Sequence, residues 1–432
     1  MAPKKKDRFG LEPVEKRLLM SGSIYIVAAG ESIQDAIDAA EAGDIIHVEK
    51  GHYYESLDIT TDDLTILAKS GAVIDGGGSG TVVDIEGDRV TFQGFTVQNG
   101  SVGIELDGSY GSTVEQNHLE YLSTAAIRGS DADGNLIRQN TIDSSLNGIQ
   151  LRQGSEYNEV VSNYVDNGGA YDTSSAGVRT DASSGYNLIK GNHVEDQQDG
   201  DGIRILSDEN TVTKNDTHYN GDDGIDVRGY GNYVDSNESR SNSDDGYDIR
   251  GDYNNVNDNL ASYNGDDGYR LSGYGHSLFS NNAKSNYDDG FAVGGSGHGL
   301  YENYAQENSD DGYRVTGDSN YLESNESDYN GGDGYHVSGD SNSLEYNRAR
   351  KNGGDGYFVN GDYNYLFANK SIANYGDGFD VRGEHNSLSY NNALKNGGYG
   401  YHDRGDYTYL DGNKAKYNGL GDWFPEEPTP LI

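Results

Sequence analysis

Residues 332–353 read GDGYHVSGDSNSLEYNRARKNG, and residues 354–375 read GDGYFVNGDYNYLFANKSIANY. The second stretch is the first moved on by 22 residues. Outward from this pair, the glycine before the aromatic or aliphatic position recurs at Gly202, Gly224, Gly246, Gly268, Gly290, Gly312, Gly334, Gly356, Gly378 and Gly400, and no step slips. A fixed period in this range is the mark of a solenoid, in which each repeat buries its few apolar residues against its neighbours.

Aligned by that period, the repeats form columns. After the glycine stand Ile225, Tyr247, Tyr269, Phe291, Tyr313, Tyr335, Tyr357, Phe379 and Tyr401, with Val227 to Val381 two residues further on. A spacing of two puts both columns on one face of a short strand. A third apolar column runs from Val234 to Leu410, and a fourth of small residues from Ser239 to Ala415. Two columns are asparagine throughout, Asn215 to Asn413 and Asn220 to Asn418. Asparagine tolerates left-handed turns, and stacked amides can bond along an axis as in cross-β ladders. A glycine column, Gly229 to Gly405, predicts a turn of positive φ. The columns together predict an all-β chain: a parallel β-helix with three short strands per coil, about 22 residues per coil and about 16 coils.

The chain has 432 residues, a formal charge of −41, no cysteine, 5 prolines, 62 glycines and 35 tyrosines. Low hydrophobicity with high net charge ordinarily means disorder, but the strict period overrules that. The acidity argues against nucleic acid and anionic membrane surfaces. No apolar run approaches the roughly 20 residues of a membrane span.

In chain order, residues 1–22 form a basic segment with Lys4, Lys5, Lys6 and Arg8, then Leu11-Glu12-Pro13 and Leu18-Leu19. This segment resembles the Leu-Glu-Pro-Arg…Leu-Leu region at the start of large exported bacterial proteins, with Val14 where the arginine usually stands. The resemblance implies a secreted or cell-surface bacterial protein. The plainer alternative is a disordered basic tail.

Residues 23–100 should hold an N-terminal cap and the first coils. Ser32 reads as an N-cap, and Ile33, Ala36, Ile37 and Ala40 have helical spacing, so a short helix ended by Gly43 should cover the open end. Gly43-Asp44-Ile45-Ile46-His47-Val48, Val73-Ile74-Asp75-Gly76 and Gly94-Phe95-Thr96-Val97 resemble the opening coils of the pectin-lyase-like right-handed β-helix families. That resemblance implies the right-handed single-stranded form of the fold. Its members include lyases, hydrolases, epimerases, adhesins and inert fibres, so it leaves function open.

Residues 101–205 are less regular. Ile104, Ile127, Ile149, Val178 and Ile203 fill the first column, with an inserted loop between Asp166 and Ser175. Residues 206–418 are the regular coils. Residues 419–432 form a cap or docking tail with Trp423, Phe424, Leu431 and Ile432.

Two neighbouring aspartate columns are the strongest chemical feature: Asp223, Asp245, Asp267, Asp289 and Asp311 in one, Asp222, Asp244, Asp266, Asp288 and Asp310 in the other. Coils about 4.8 Å apart bring carboxylates close enough to repel by roughly 1 kcal/mol even in water. Calcium, which takes oxygen ligands, would offset that cost. The alternative is turn chemistry with solvent-screened side chains.

The outward positions of the first strand form a charged stripe including Arg128, Arg152, Arg179, Asp181, Arg204, Asp226, Arg228, Asp248, Arg250 and Arg270. In lyases and epimerases of the resembled fold the cleft lies on such a face, which makes Tyr171, Asp172, Arg179, Asp181, Arg204 and His193 the catalytic candidates. Cross-strand Arg–Asp pairing is the competing explanation. The histidines read as dispersed: His276 and His298 substitute for asparagine in a turn column, His218 and His336 stand apart, and no zinc pattern emerges. The tyrosine column reads as core rather than as a platform for sugar rings.

An enzyme needs a few unlike residues in one special place, whereas the regular half offers the same residues in every coil. The expected function is therefore an extracellular structural rod, acidic and rigid, that self-assembles as a homo-oligomer or homopolymer into a filament or surface layer with calcium. The alternative is a lyase, an epimerase-like enzyme or an adhesin acting on an acidic polysaccharide.

Overall fold

The computed structural model of the chain describes residues 22–166 and 174–424. Each regular coil is a flattened triangle of three short strands. In one coil these are Tyr335–Ser338, Ser343–Glu345 and Arg348–Arg350, and the next coil begins at Tyr357. We name the three faces sheets I, II and III in that order. All pairings are parallel and advance one coil at a time, with Tyr335 opposite Tyr357, Leu344 opposite Leu366 and Ala349 opposite Ser371. Sheet II contains 18 strands, so the described chain makes about 18 turns rather than 16.

The core is a thin column in which every coil contributes the same few groups. Tyr335, Val337, Leu344 and Ala349 are fully buried, as are their counterparts one coil either way. Tyr247, Tyr269, Phe291, Tyr313, Tyr335, Tyr357, Phe379 and Tyr401 stack ring on ring, with centroids 4.7–4.9 Å apart. That is the coil spacing, so the parallel ladder itself brings the rings into van der Waals contact. The tyrosine column is thus core and offers no face to a sugar.

The asparagine columns are buried amide ladders. Asn325 Nδ2 donates to Asn347 Oδ1 of the next coil at 3.1 Å and to Leu300 O of the preceding one at 2.9 Å. Its Oδ1 accepts from Asn303 N at 2.9 Å and Asn303 Nδ2 at 3.0 Å. The left-handed conformation falls on the residue before each asparagine, as at Ser324 (φ 58°) and Tyr346 (φ 57°), which lets the amide turn inward. A third ladder runs from Asn135 through Asn158, Asn187, Asn210 and Asn232 to Asn254, and resumes from Asn320 to Asn386.

The glycine column has two separate causes. Gly273 adopts φ 119°, as the sequence predicts, but Gly317 is not left-handed. At Gly317 a Cβ would lie 1.5 Å from Gly295 O, so close backbone approach between coils excludes a side chain there.

At the N-terminal end, α1 (Ile33–Ala39) buries Ile33 and Ile37 against the first coils. Ser32 Oγ caps it by accepting from Asp35 N at 3.1 Å, and Glu55 Oε1 accepts from Ile33 N at 2.8 Å. The helix ends at Ala39, and Gly43 (φ 92°) belongs to the turn beyond it.

At the other end, Trp423 pairs with Tyr401 in register and stacks on its ring at 4.3 Å, closing the aromatic column. Leu431, Ile432, the basic segment up to Ser21, and Tyr171 and Asp172 of the inserted loop lie outside the described residues. The insertion still shows in the ladder, where Asn158 and its partner Asn187 are 29 residues apart.

Candidate functional site: the acidic edge of sheet I

The first aspartate column lies where the chain turns from sheet III into sheet I. It is not solvated. Asp201, Asp223, Asp245, Asp267, Asp289 and Asp311 are all buried. Each Oδ1 accepts the backbone N–H of the aspartate one coil on, from Asp223 N on Asp201 (3.2 Å) through Asp267 N on Asp245 (2.9 Å) to Asp377 N on Asp355 (2.6 Å). Turn chemistry therefore explains one oxygen of each carboxylate. It leaves the other, and it leaves a row of acids in low dielectric.

Burial first, and adjacent carboxylates second, push these acids upward. Asp223 rises to about 9, Asp201, Asp245 and Asp289 to about 8, and Asp267 to about 7. Asp355 rises to about 7, again chiefly by burial. In the second column beside it, Asp222, Asp244, Asp266 and Asp288 are half-exposed and Asp310 is exposed.

Cations from the neighbouring stripe answer part of this charge. Only part of the stripe shares one register position of sheet I, which runs Arg179, Arg204, Asp226, Asp248, Arg270, Ala292, Arg314, His336 and is joined by Arg128 through Gln150, whereas Arg152, Asp181, Arg228 and Arg250 stand two residues further along the chain. Arg204 is buried, ion-paired to Asp201 and 3.1 Å from Asp226 Oδ2. Arg270 and Arg314 reach Asp245 and Asp289 at 3.8 and 3.9 Å. His336 Nδ1 sits 3.3 Å from Asp311 and 3.4 Å from Asp333, and bonding to both carboxylates raises it to about 9. Cross-strand pairing is thus the main business of this stripe.

Some carboxylate oxygens along this edge are left unanswered. Asp245 Oδ2 and Asp248 Oδ1 are sealed from solvent and accept no hydrogen bond. With Asp223, these two residues offer carboxylate oxygens within 4.8 Å of one another. A groove continues along the column past Asp266, Asp267, Asp288 and Asp289.

Of the catalytic candidates, Arg179 and Arg204 are direct register partners. Asp181 instead folds back on its own turn. Burial works against its carboxylate, but bonds from Gln153 N, Ser183 and Ser184 outweigh it and hold the acid below its ordinary value. Arg204 and Asp181 are thus committed to holding coils together. Arg179 donates to Ser174 O at 2.7 Å.

The histidines correct the sequence reading. His276 and His298 do occupy the third asparagine ladder, stacked 4.9 Å apart, with each Nδ1 accepting a backbone N–H as the replaced amide oxygen would. His193 and His218, however, meet on adjacent strands of sheet III, 4.6 Å between ring centroids. The signal lay in His193-Val194-Glu195 and Asp216-Thr217-His218, which face each other once the register is known.

The model of the right-handed β-helix region matches residues 176–286 and 275–415, more than half of the chain, and the chain belongs to that family. The model of the periplasmic copper-binding protein NosD matches residues 37–221. No curated protein matches the chain. Similar solved structures include the Dettilon tailspike protein (gp208), at 14% identity over 66% of this chain and 67% of that one, TM-score 0.47. XylC in complex with xylose matches at 11% identity over 93% and 87%, TM-score 0.45. PfbA, a surface adhesin of Streptococcus pneumoniae, matches at 12% identity over 87% and 87%, TM-score 0.38. These are likenesses of fold. Among the described residues no helix is long and apolar enough to cross a membrane.

Proposed function

We propose that the protein is an extracytoplasmic structural rod whose acidic edge takes up calcium and joins copies of the chain into a filament or layer. The observation that carries this reading is the aspartate ladder, repeated without interruption from Asp201 to Asp377 in every coil. A catalytic centre is one place, whereas this feature is a line. Calcium takes six to eight oxygens. Asp223, Asp245 and Asp248, with the outer Asp222 and Asp244, supply several within one coil spacing. The same holds for Asp266, Asp267, Asp288 and Asp289, and for Asp310 and Asp311 further along. The word periplasmic in the description of the family matched over residues 37–221 supports a location outside the cytoplasm.

Negative-stain imaging of the purified protein with calcium and with chelator tests this. Filaments or sheets that vanish on chelation support it. Monodisperse short rods in both conditions, with no calcium bound by calorimetry, defeat it.

A second reading, an adhesin for an acidic polysaccharide, draws on a different observation. Tyr363, His385 and Tyr407 stack in an exposed row at 5.1 and 5.0 Å, a flat aromatic strip outside the core. Retardation of the protein in gels containing uronate polymers, lost in Tyr363→Ala/Tyr407→Ala, distinguishes it from the rod. Turnover of such polymers that Arg179→Ala removes would return the irregular coils to an enzymatic role.

A further inference from the structure

We infer that copies of this chain pack side by side in an open row, with the corner between sheets I and II of one copy seated on sheet III of the next. The inference rests on the assembling-rod reading. It names a contact separate from the calcium edge, which lies between sheets III and I.

The charge of the chain is unevenly spread. Residues 346–354, 368–376, 390–398 and 412–421 cross sheet III towards the C-terminal end, and they contain no aspartate or glutamate. Their only charges are cations, in a chain whose formal charge is −41. Ala349, Ser371 and Ala393 are buried in the core, so the strand residues on either side of them face outward. Arg348 and Arg350 pair with Glu326 and Asp328 of the preceding coil. Beyond that coil Lys370, Lys395, Lys414 and Lys416 are exposed and, among the described residues, have no acidic partner. Ile372 and Leu394, opposite each other in register, lie half-buried between them.

The far side of the rod is the reverse. Sheets I, II and III follow in that order in each coil, so the corner between I and II stands across the section from sheet III. There Asp318, Asp340, Asp362, Glu384 and Asp406 form a line of one carboxylate per coil. Asp340 Oδ1 accepts from Asp362 N at 2.8 Å, and Asp362 Oδ1 from Glu384 N at 2.7 Å. Among the described residues none of the five has a cation beside it. One residue past the last three stands the exposed strip of Tyr363, His385 and Tyr407.

Corner and face fit each other. Both carry the coil spacing of about 4.8 Å, so a contact made at one coil recurs at the next. Both occupy the same end of the rod, so parallel, unstaggered neighbours bring them level. Acids meet lysines, and the rings meet Ile372, Leu394 and the lysine ammonium groups. Exposed ion pairs are weak singly, which is why the apolar members matter. Because corner and face lie on opposite sides of one rod, the contact is heterologous and does not close, and a row grows from it. A second copy supplies the spacing and the apolar strip as well as the charge, whereas a soluble polyanion supplies charge alone.

The test is sedimentation of the full chain in chelator over a range of concentrations. Association is expected in about 20 mM salt and should vanish in about 0.5 M. Carbodiimide should join Glu384 or Asp406 to Lys395 or Lys414, a link that one rod cannot make within itself. The face variant Lys370→Glu/Lys395→Glu/Lys414→Glu should associate at least about 10-fold more weakly. The corner variant Glu384→Lys/Asp406→Lys should lose association as well, although it is less acidic than the parent, and mixing the two variants should restore it. Monomers at every concentration in low salt, or a face variant that associates like the parent, overturn the contact. A parent that stays monomeric yet is retarded by a uronate polymer through these lysines overturns it too, since the occupant is then a polyanion. Calcium-induced filaments that persist in the face variant defeat the contact and leave the calcium reading standing. Salt-sensitive rows in chelator, lost in the face variant, support the contact whatever calcium does. Should the corner variant fail to fold, the face variant and the cross-link decide.

Discussion

The Asn325 side chain makes four hydrogen bonds in a dry interior, two as donor and two as acceptor. Replacing it with alanine leaves the Asn303 backbone N–H without its acceptor and takes one bond each from Leu300 O, from Asn303 Nδ2, which keeps Leu278 O, and from Asn347 Oδ1, which keeps the backbone N–H of residue 325. Asn325→Ala should cost about 3 kcal/mol in denaturant titration, since each stranded buried group costs on the order of 1–3 kcal/mol. Asn413, half-exposed near the end of its ladder, should cost less. The histidine substitutes behave differently from amides. Burial first, and the neighbouring His276 second, depress His298 to about 4. The folded chain therefore binds fewer protons there than the unfolded chain between about pH 4 and the ordinary histidine value of about 6.5. That contribution to stability is present above about 6.5 and lost as pH falls through 4. His298→Asn, which restores the ladder residue, should stabilise the protein more at pH 4 than at pH 7; equal effects at both would refute the assignment.

At the scale of the coil, the aromatic stack and the ladders divide the work of holding register. Tyr335 Oη donates to Asn325 O at 2.7 Å, tying the stack to the amide ladder. Phe291 and Phe379 fill the same column without a hydroxyl, so Tyr335→Phe should cost only about 1 kcal/mol. Tyr335→Ala opens a ring-sized hole between two flat neighbours and should cost about 3–5 kcal/mol by thermal or chemical unfolding.

The coil was largely legible in the sequence because its constraints repeat. Each column of tyrosine, leucine or asparagine states its requirement many times over, so the inward face could be read without coordinates. What escaped was anything that depends on which residues face each other across coils of unequal length. His193 lies in the irregular part and His218 25 residues on, at the start of the regular coils, and only the pairing of their strands brings them together. Gly317 likewise looked like a turn glycine, because close approach to Gly295 O belongs to the stack and not to the repeat. The aspartates were visible as columns, but their burial was not, since Asp-Gly reads the same whether the carboxylate faces water or the next coil.

Over the whole molecule, the ladder makes stability a function of pH. Asp201, Asp223, Asp245, Asp267, Asp289 and Asp355 are raised to between about 7 and 9 in the folded chain, against about 3.9 when unfolded. In that window the folded state holds more protons, so stability falls as pH rises. The contribution is complete below about pH 4 and is lost through pH 7–9. Thermal midpoints should therefore drop between pH 6 and pH 9, and Asp245→Asn should flatten part of that slope. If the proposed calcium reading holds, added calcium should restore the midpoint at pH 8 in the parent and less so in Asp245→Asn; a calcium-independent slope would confine the ladder to an architectural role.

The stacked rings of sheet I also have an optical consequence. Eight tyrosine and phenylalanine rings lie face to face at near-contact spacing, and the column ends on Trp423, the one tryptophan of the chain. Excitation absorbed by any tyrosine in the stack can hop down it and be emitted from the indole. The column is a one-dimensional antenna with its collector at the C-terminal end, so a break at any coil should register as lost tyrosine-sensitised tryptophan emission.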